Sequence, residues 1–215
     1  MTQLLQARDI SLDELHTQFN LQSTSDKTFF PEWQSDSLVL SNLERQQLDR
    51  VRENCSNLTS RKTFSEEAVK MVVLSPLLDL AGFYQAPFAL QTEESVEIKA
   101  EDNDLLVKGK IDVLVARQQF WVLVIESKST QFDVLTALPQ ALTYMLGNPN
   151  QNTPVYGLLV NGREFVFIKF VNNFNQNHHP VYSRSYALSI ERNGDLKQVL
   201  ETLKVIRENI LKSKS

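Results

Sequence analysis

Two stretches of otherwise apolar sequence carry charge where a buried strand needs a reason for it. Gly109-Lys110-Ile111-Asp112-Val113-Leu114-Val115 places one carboxylate among branched side chains, and Val122-Leu123-Val124-Ile125-Glu126-Ser127-Lys128 places a second, two residues before a lysine. An ionised carboxylate left unpaired in an apolar interior either costs several kcal/mol or takes up a proton. Read as the two arms of a hairpin turning symmetrically about Gln119, the stretches set Asp112 opposite Glu126 and Lys110 opposite Lys128. Side chains alternate along a strand, so Asp112, Glu126 and Lys128 are expected on one side. Two facing carboxylates repel; a divalent cation between them removes that penalty, and Mg²⁺ favours oxygen ligands. One step further along, the Lys128 ammonium is placed to orient or help deprotonate a water nucleophile. Together a metal and a lysine stabilise the negative charge that builds on a phosphoryl group during displacement. The competing reading is a structural charge cluster at a sheet end.

The elements that must position these residues are legible from their periodicity. Leu105 to Ala116 and Phe120 to Lys128 read as the central hairpin, with Ser95 to Ala100 a short strand before it. Ser41 with Glu44 forms a capping-box signature for a helix running to about Asn54. A second helix starts near Ser65; its buried stripe of Val69, Val72, Val73, Leu77 and Leu80 ends at Ala81-Gly82, and Pro76 is expected to kink or split it. Leu135 to Leu146 is a further amphipathic helix, closed by Gly147-Asn148-Pro149. Val155 to Val160 and Glu164 to Phe170 flank Asn161-Gly162, the pair a type I′ hairpin turn prefers. A strand within Tyr182 to Ile190 and a closing helix from Leu196 to Leu211 complete the chain. This order implies an α/β domain with a mixed central β-sheet flanked by helices. It is expected over residues 41–215, preceded by an irregular polar arm over residues 1–40 whose Phe29, Phe30 and Trp33 pack on the core or dock a partner.

Asp112 followed by Glu126-Ser127-Lys128 resembles the PD-(D/E)xK nuclease motif, most closely that of the N-terminal nuclease domain of type I restriction enzyme R subunits. Gly109 stands three residues before Asp112, as is usual in that family. Gln140-Ala141-Leu142-Thr143-Tyr144 resembles the QxxxY motif that follows the lysine. Ser65-Glu66-Glu67, with Pro76-Leu77-Leu78 beyond, resembles the first helix, whose glutamate assists at the metal site; counting back from Pro76 favours Glu66 over the adjacent Glu67. The resemblance covers roughly residues 60–170. It implies a restriction-endonuclease-like core in which Asp112, Glu126 and the backbone carbonyl of Ser127 bind Mg²⁺ (Mn²⁺ as a substitute), Glu66 assists, and Lys128 poises the attacking water. Gln140 and Tyr144, four apart on one helix face, can approach the DNA strand or the active site.

The formal net charge of −4 lacks the basic excess of a stand-alone DNA-binding domain, so either a metal neutralises an acidic site or a partner supplies the grip. No GxxxxGK phosphate loop occurs, so ATP-driven translocation is not expected of these residues. Apolar runs are strand-sized, no signal peptide is evident, and the lone Cys55 matches neither a disulfide nor a zinc spacing; a cytoplasmic protein is expected. His178-His179 reads as solvated loop, and Phe165, Phe167 and Phe170 as core rather than a base-stacking platform. The leading expectation is a Mg²⁺-dependent deoxyribonuclease, in the alternative a catalytically silent module binding nucleic acid or a partner such as a motor or specificity subunit.

Overall fold

The computed structural model describes residues 3–34, 39–60, 62–99, 105–118, 120–151, 153–174 and 179–212. Gln119 and His178 lie outside the described residues. Strands β1 (Gln3–Gln6), β2 (Gln22–Ser23), β3 (Phe88–Lys99), β4 (Leu105–Arg117), β5 (Phe120–Ser127), β6 (Val155–Val160), β7 (Glu164–Phe174), β8 (His179–Arg184) and β9 (Leu188–Ser189) join one mixed sheet. Its order is β1-β4-β5-β6-β7-β8-β2, with β3 also against β4 and β9 against β7. Helices α2 (Asn42–Thr59), α3 (Glu66–Val69), α4 (Ser75–Leu80) and α6 (Asp195–Lys212) cover one face, where Val51, Val73, Leu77 and Leu200 pack on Val115, Leu123 and Phe167. On the other face α1 (Leu12–Gln18) and α5 (Leu138–Leu146) bring Leu15, Ala141 and Met145 onto Leu114, Val124 and Ile168. Strand β6 is buried along its whole length, as its unbroken apolar sequence requires of a central strand covered on both sides. The molecule is therefore α/β, a mixed central sheet flanked by helices.

The central hairpin reaches its expected register by an unexpected route. Arg117 pairs with Phe120 and Ala116 with Trp121, so two residues lie between the strands, Gln118 with φ +57° among them. A bulge then leaves Val122 unmatched, and beyond it Val115, Leu114 and Val113 face Leu123, Val124 and Ile125. The ladder ends there. Strand β5 continues beside β6, pairing Glu126 with Leu159, while β4 is taken up on the same edge by β1, from Lys108↔Gln6 to Leu105↔Gln3. Residues 109–112 thus span a fork between β5 and β1. Neither the expected opposition of Asp112 with Glu126 nor that of Lys110 with Lys128 forms a ladder pair, because pairing has ceased at Val113 and Ile125.

The first forty residues, expected as an irregular arm, instead contribute both ends of the sheet order. β1 lies parallel to β4 and β2 parallel to β8, and α1 carries a capping box of Ser11 and Glu14. Phe29 and Phe30 are buried in the core as anticipated, and Glu32 accepts from both Tyr156 Oη and Lys169 Nζ at 2.7 Å. The capping box of Ser41 and Glu44 forms as read, and Phe165, Phe167 and Phe170 are core. Cys55 is buried, its thiol donating to the Gly162 carbonyl at 3.2 Å. The turn after β6 differs from expectation: Val160 pairs with Phe165, Asn161 N–H donates to the Glu164 carbonyl, and Gly162 has positive φ but Asn161 does not. Asn161 acts through its side chain instead, its Oδ1 accepting from the backbone of Arg163 and Glu164, so the turn is centred on Gly162-Arg163 rather than on Asn161-Gly162.

Pro76 leaves the helix of residues 66–80 unbroken. A proline inside a helix lacks an N–H and presses its ring on the carbonyl four residues earlier. Here the chain widens ahead of it into a π turn over Lys70–Leu74, closed by Ser75 N–H donating to the Lys70 carbonyl. Such turns rotate the side chains before them relative to a regular helix.

Removing one partner of a buried, hydrogen-bonded ion pair leaves the other charge desolvated. Glu32→Ala, which strands Lys169, is expected to cost about 3 kcal/mol in urea-induced unfolding. A loss too small to measure would mean that residues 29–34 do not dock as described.

Candidate active site

Asp112 stands where β4 is irregular on both edges. Its pairing with β5 has ended one residue earlier, and the ladder to β3 skips from Thr92↔Val113 to Glu94↔Ile111, leaving out the rung of Asp112 and Glu93. Glu93 has φ +55°, a conformation uncommon for a residue with a side chain and a local source of strain. The packing alternation slips at the same place. Val107, Ile111 and Leu114 all face the α5 side, whereas Val113 and Val115 face the other. Simple alternation therefore does not carry through Asp112; the side chain is aimed by the fork.

Across the fork, Asp112 Oδ2 accepts from Ser127 N–H at 2.8 Å and from Ser127 Oγ at 2.6 Å. Oδ1 accepts from Lys70 Nζ at 3.2 Å. Glu126, only 2% exposed, has Oε1 receiving a hydrogen bond from Lys128 Nζ at 2.9 Å, while Oε2 is buried without a partner. Burial first, then the charge of Asp112, pushes the Glu126 carboxyl up to about 8, against the opposing pull of Lys128; Glu66 adds a smaller push in the same direction. Without a further cation Glu126 is thus held protonated at neutral pH.

Lys128 is fixed from behind. Its Nζ also donates to Gln140 Oε1 at 3.1 Å, and Gln140 Nε2 donates to Tyr144 Oη at 2.9 Å. The Tyr144 hydroxyl in turn accepts from the Lys110 backbone, and burial raises its own pKa to about 12. A Cβ at Gly109 would stand 2.7 Å from Tyr144 Cε1, so glycine is what lets this ring reach the fork. Gln140 and Tyr144 thus meet the site rather than a surface; Tyr144 is 2% exposed, which leaves its ring little reach toward a DNA strand. An open cleft of about 510 Å³ lies where the end of β1 and helix α5 meet β3 and β4, lined by Arg8, Glu97, Lys108, Lys110, Gln140 and Tyr144.

Of the two candidate glutamates in the helix after Ser65, Glu66 is half-buried and acts on Glu126, whereas Glu67 is exposed and hydrogen-bonds to Ser65. Among the described residues no group of three or more His, Cys, Asp or Glu side chains converges enough to hold a metal ion, so Glu66 sits within electrostatic range and not in a tight triad. Two neighbouring carboxyl groups, one with a buried oxygen that has no protein partner, nevertheless fit a divalent cation that completes its shell with backbone oxygen and water. Sequence reasoning missed three participants: the Ser127 hydroxyl, Glu93 and Lys70. Lys70 falls one turn after Glu66, a spacing that can bring side chains together on a helix, but the π turn decides where it points.

Folded Glu126 keeps its proton up to about pH 8, against 4.5 for an ordinary glutamate. Between those values the folded state binds more protons than the unfolded, so metal-free stability falls as pH rises. Glu126→Gln is expected to melt near the parent at pH 4.5 and increasingly above it from pH 5 to 8, followed by circular dichroism in EDTA. Parallel melting curves across that range would contradict the buried acid.

No family model and no curated protein matches the chain. Among solved structures it is similar to a fragment assigned as an HsdR subunit of a type I restriction enzyme from Vibrio vulnificus YJ016, at 17% identity and a TM-score of 0.39, over 68% of this chain and 26% of that one. It is also similar to the DrdV–DNA complex, at 15% identity and a TM-score of 0.44, over 74% of this chain and 96% of that one. The chain spans about a quarter of the HsdR fragment's length. Among the described residues no helix is long and apolar enough to cross a membrane.

Proposed function

We propose that this chain carries a restriction-endonuclease-like core of the PD-(D/E)xK type that hydrolyses DNA phosphodiester bonds with Mg²⁺, or with Mn²⁺ in its place. The observation that carries this reading is the buried, unpartnered Glu126 Oε2 beside Asp112, with Lys128 held at the same carboxylate. Asp112, Glu126 and the Ser127 backbone carbonyl would hold the cation, with Glu66 assisting from electrostatic range. When bound, the cation supplies a Lewis acid for a phosphoryl oxygen and lowers the pKa of a coordinated water.

The remaining work falls to the chain's own groups. Ser127 orients Asp112 through two donors, so that the carboxylate keeps one position at the fork. Lys128 sits at the mouth of the pair, where its ammonium can hold an attacking water and offset charge growing on the phosphoryl oxygens. Gln140, braced by Tyr144, keeps the Lys128 ammonium from collapsing wholly onto Glu126. Such a positioning role is worth roughly a factor of 10–100 when removed. Along the cleft, Lys110 adds positive charge where a phosphate backbone would enter, while Lys108 is paired with Glu97 and Arg8 with Asp9.

A second reading, a silent module binding nucleic acid or a partner protein, is favoured by two observations. Both oxygens of Asp112 already have protein partners, and the chain carries a net charge of −4. The two readings separate in a cleavage assay on plasmid and linear single-stranded DNA with Mg²⁺, Mn²⁺ or EDTA. Metal-dependent cutting is expected, abolished by Asp112→Ala and by Lys128→Ala and slowed roughly 10- to 100-fold by Gln140→Ala. Cutting that survives Asp112→Ala would remove this site from the chemistry. A folded protein that neither cuts nor binds Mg²⁺ would support the silent module.

A further inference from the structure

Among the described residues, Lys70 is the one cationic side chain from outside the motif that pairs with either carboxylate. It leaves the helix at the first residue of the π turn, and its Nζ lies 3.2 Å from Asp112 Oδ1 and 3.9 Å from Glu93 Oε1. The side chain is 22% exposed, so its charge is partly desolvated and interacts more strongly with its neighbours than a surface ammonium would. Burial alone would weaken that charge, yet Asp112, with Glu93 and Glu67 behind it, holds the ammonium's pKa above its ordinary value. The local distortions gather at this contact: Lys70 opens the π turn, Glu93, whose Oε1 lies 3.9 Å away, has positive φ, and the skipped rung leaves Asp112 out of the ladder. Lys128 cannot do the same job, because it is tied to the other carboxylate and to Gln140.

Resting on the reading of Asp112 and Glu126 as a cation site, we infer that Lys70 is a built-in counter-ion which occupies Asp112 Oδ1 in the metal-free protein and must yield it when a divalent cation binds. Glu93 is the second carboxylate on which the displaced ammonium settles. Lys70 thereby keeps the acidic fork folded without metal and weakens metal affinity, because part of the attraction to the cation is spent on breaking the Lys70–Asp112 contact. A cation and an ammonium cannot share Oδ1 at contact distance without repelling each other, which makes the two states exclusive.

The test is an electron paramagnetic resonance titration of Mn²⁺ into the full chain, with Lys70→Met, Lys70→Gln, Lys110→Met and Asp112→Asn beside the parent and each variant's folding checked by circular dichroism. Both Lys70 variants are expected to bind Mn²⁺ about tenfold tighter or more, and to melt lower than the parent in EDTA with a larger upward shift on adding Mn²⁺. Lys110→Met, which removes an exposed lysine lining the nearby cleft, should change affinity less than twofold. An equal gain in Lys110→Met would overturn the inference by assigning the effect to net charge. Unchanged or weaker binding in the Lys70 variants, with binding still abolished by Asp112→Asn, would overturn it while leaving the cation site intact. Absence of Mn²⁺ binding in the parent and the Lys70 variants alike would overturn both.

Discussion

Two carboxyl groups that could not both carry unpaired charge here, Asp112 and the buried Glu126, are held close together, and the local structure is arranged around that constraint. Glu126 is almost fully enclosed, and Asp112 lies near enough that its charge is the second-largest influence on the Glu126 proton. Neither could persist as an isolated charge in an apolar sheet. The fold answers with two lysines from different elements, a serine hydroxyl and a backbone N–H, each addressed to one oxygen. One oxygen of the pair, Glu126 Oε2, is left without a protein partner, as are Glu32 Oε2 and both Glu201 oxygens elsewhere; what sets Glu126 apart is a second carboxylate, Asp112, close enough to push its pKa up.

A regular sheet could not build this arrangement. If β4 and β5 stayed paired, their backbones would close the space between the carboxylates; they part after Val113 and Ile125, and β1 takes over the freed edge only at Lys108. The opening is then lined from three directions. Strand β5 brings Glu126 and Ser127 on its pairing with β6, helix α5 brings Tyr144 down onto Gly109 and Gln140 to Lys128, and the helix ahead of Pro76 brings Lys70 from the first residue of its π turn. Departures from regular geometry (the Glu93 φ, the skipped rung and the π turn) gather around Asp112, which is where such strain is tolerated because it serves an arrangement of charges.

The carboxylates and Lys128 were legible in the sequence because charge stands out against branched apolar strands. The register between them was legible too, although a symmetric turn about Gln119 stood in for a two-residue turn and a bulge at Val122 that together give the same offset. The spacing of Gln140 and Tyr144 placed both on one helix face, but spacing says nothing of depth, and only packing reveals that Tyr144 lies behind Lys128. Strand β3 was read only over its last residues, where Val96 and Ile98 alternate with exposed neighbours; residues 89–93 face solvent on both sides and leave no pattern. β1 and β2 are short and lie beside strands far along the chain; neither Gln-Leu-Leu-Gln nor Gln-Ser is long enough to show an alternating pattern. Lys70 was hidden for a different reason: its partner Asp112 lies 42 residues along the chain, and a lysine on a helix carries no periodic sign of such a contact.

The central claim is that Asp112 and Glu126 form one cation site, and crystals grown in Mn²⁺ would test it most directly through the metal's anomalous scattering. The account predicts a peak at the fork, roughly 2.1 Å from Glu126 Oε2 and in contact with Asp112. A peak elsewhere, or none, with Glu126 Oε2 still unpartnered, would contradict it.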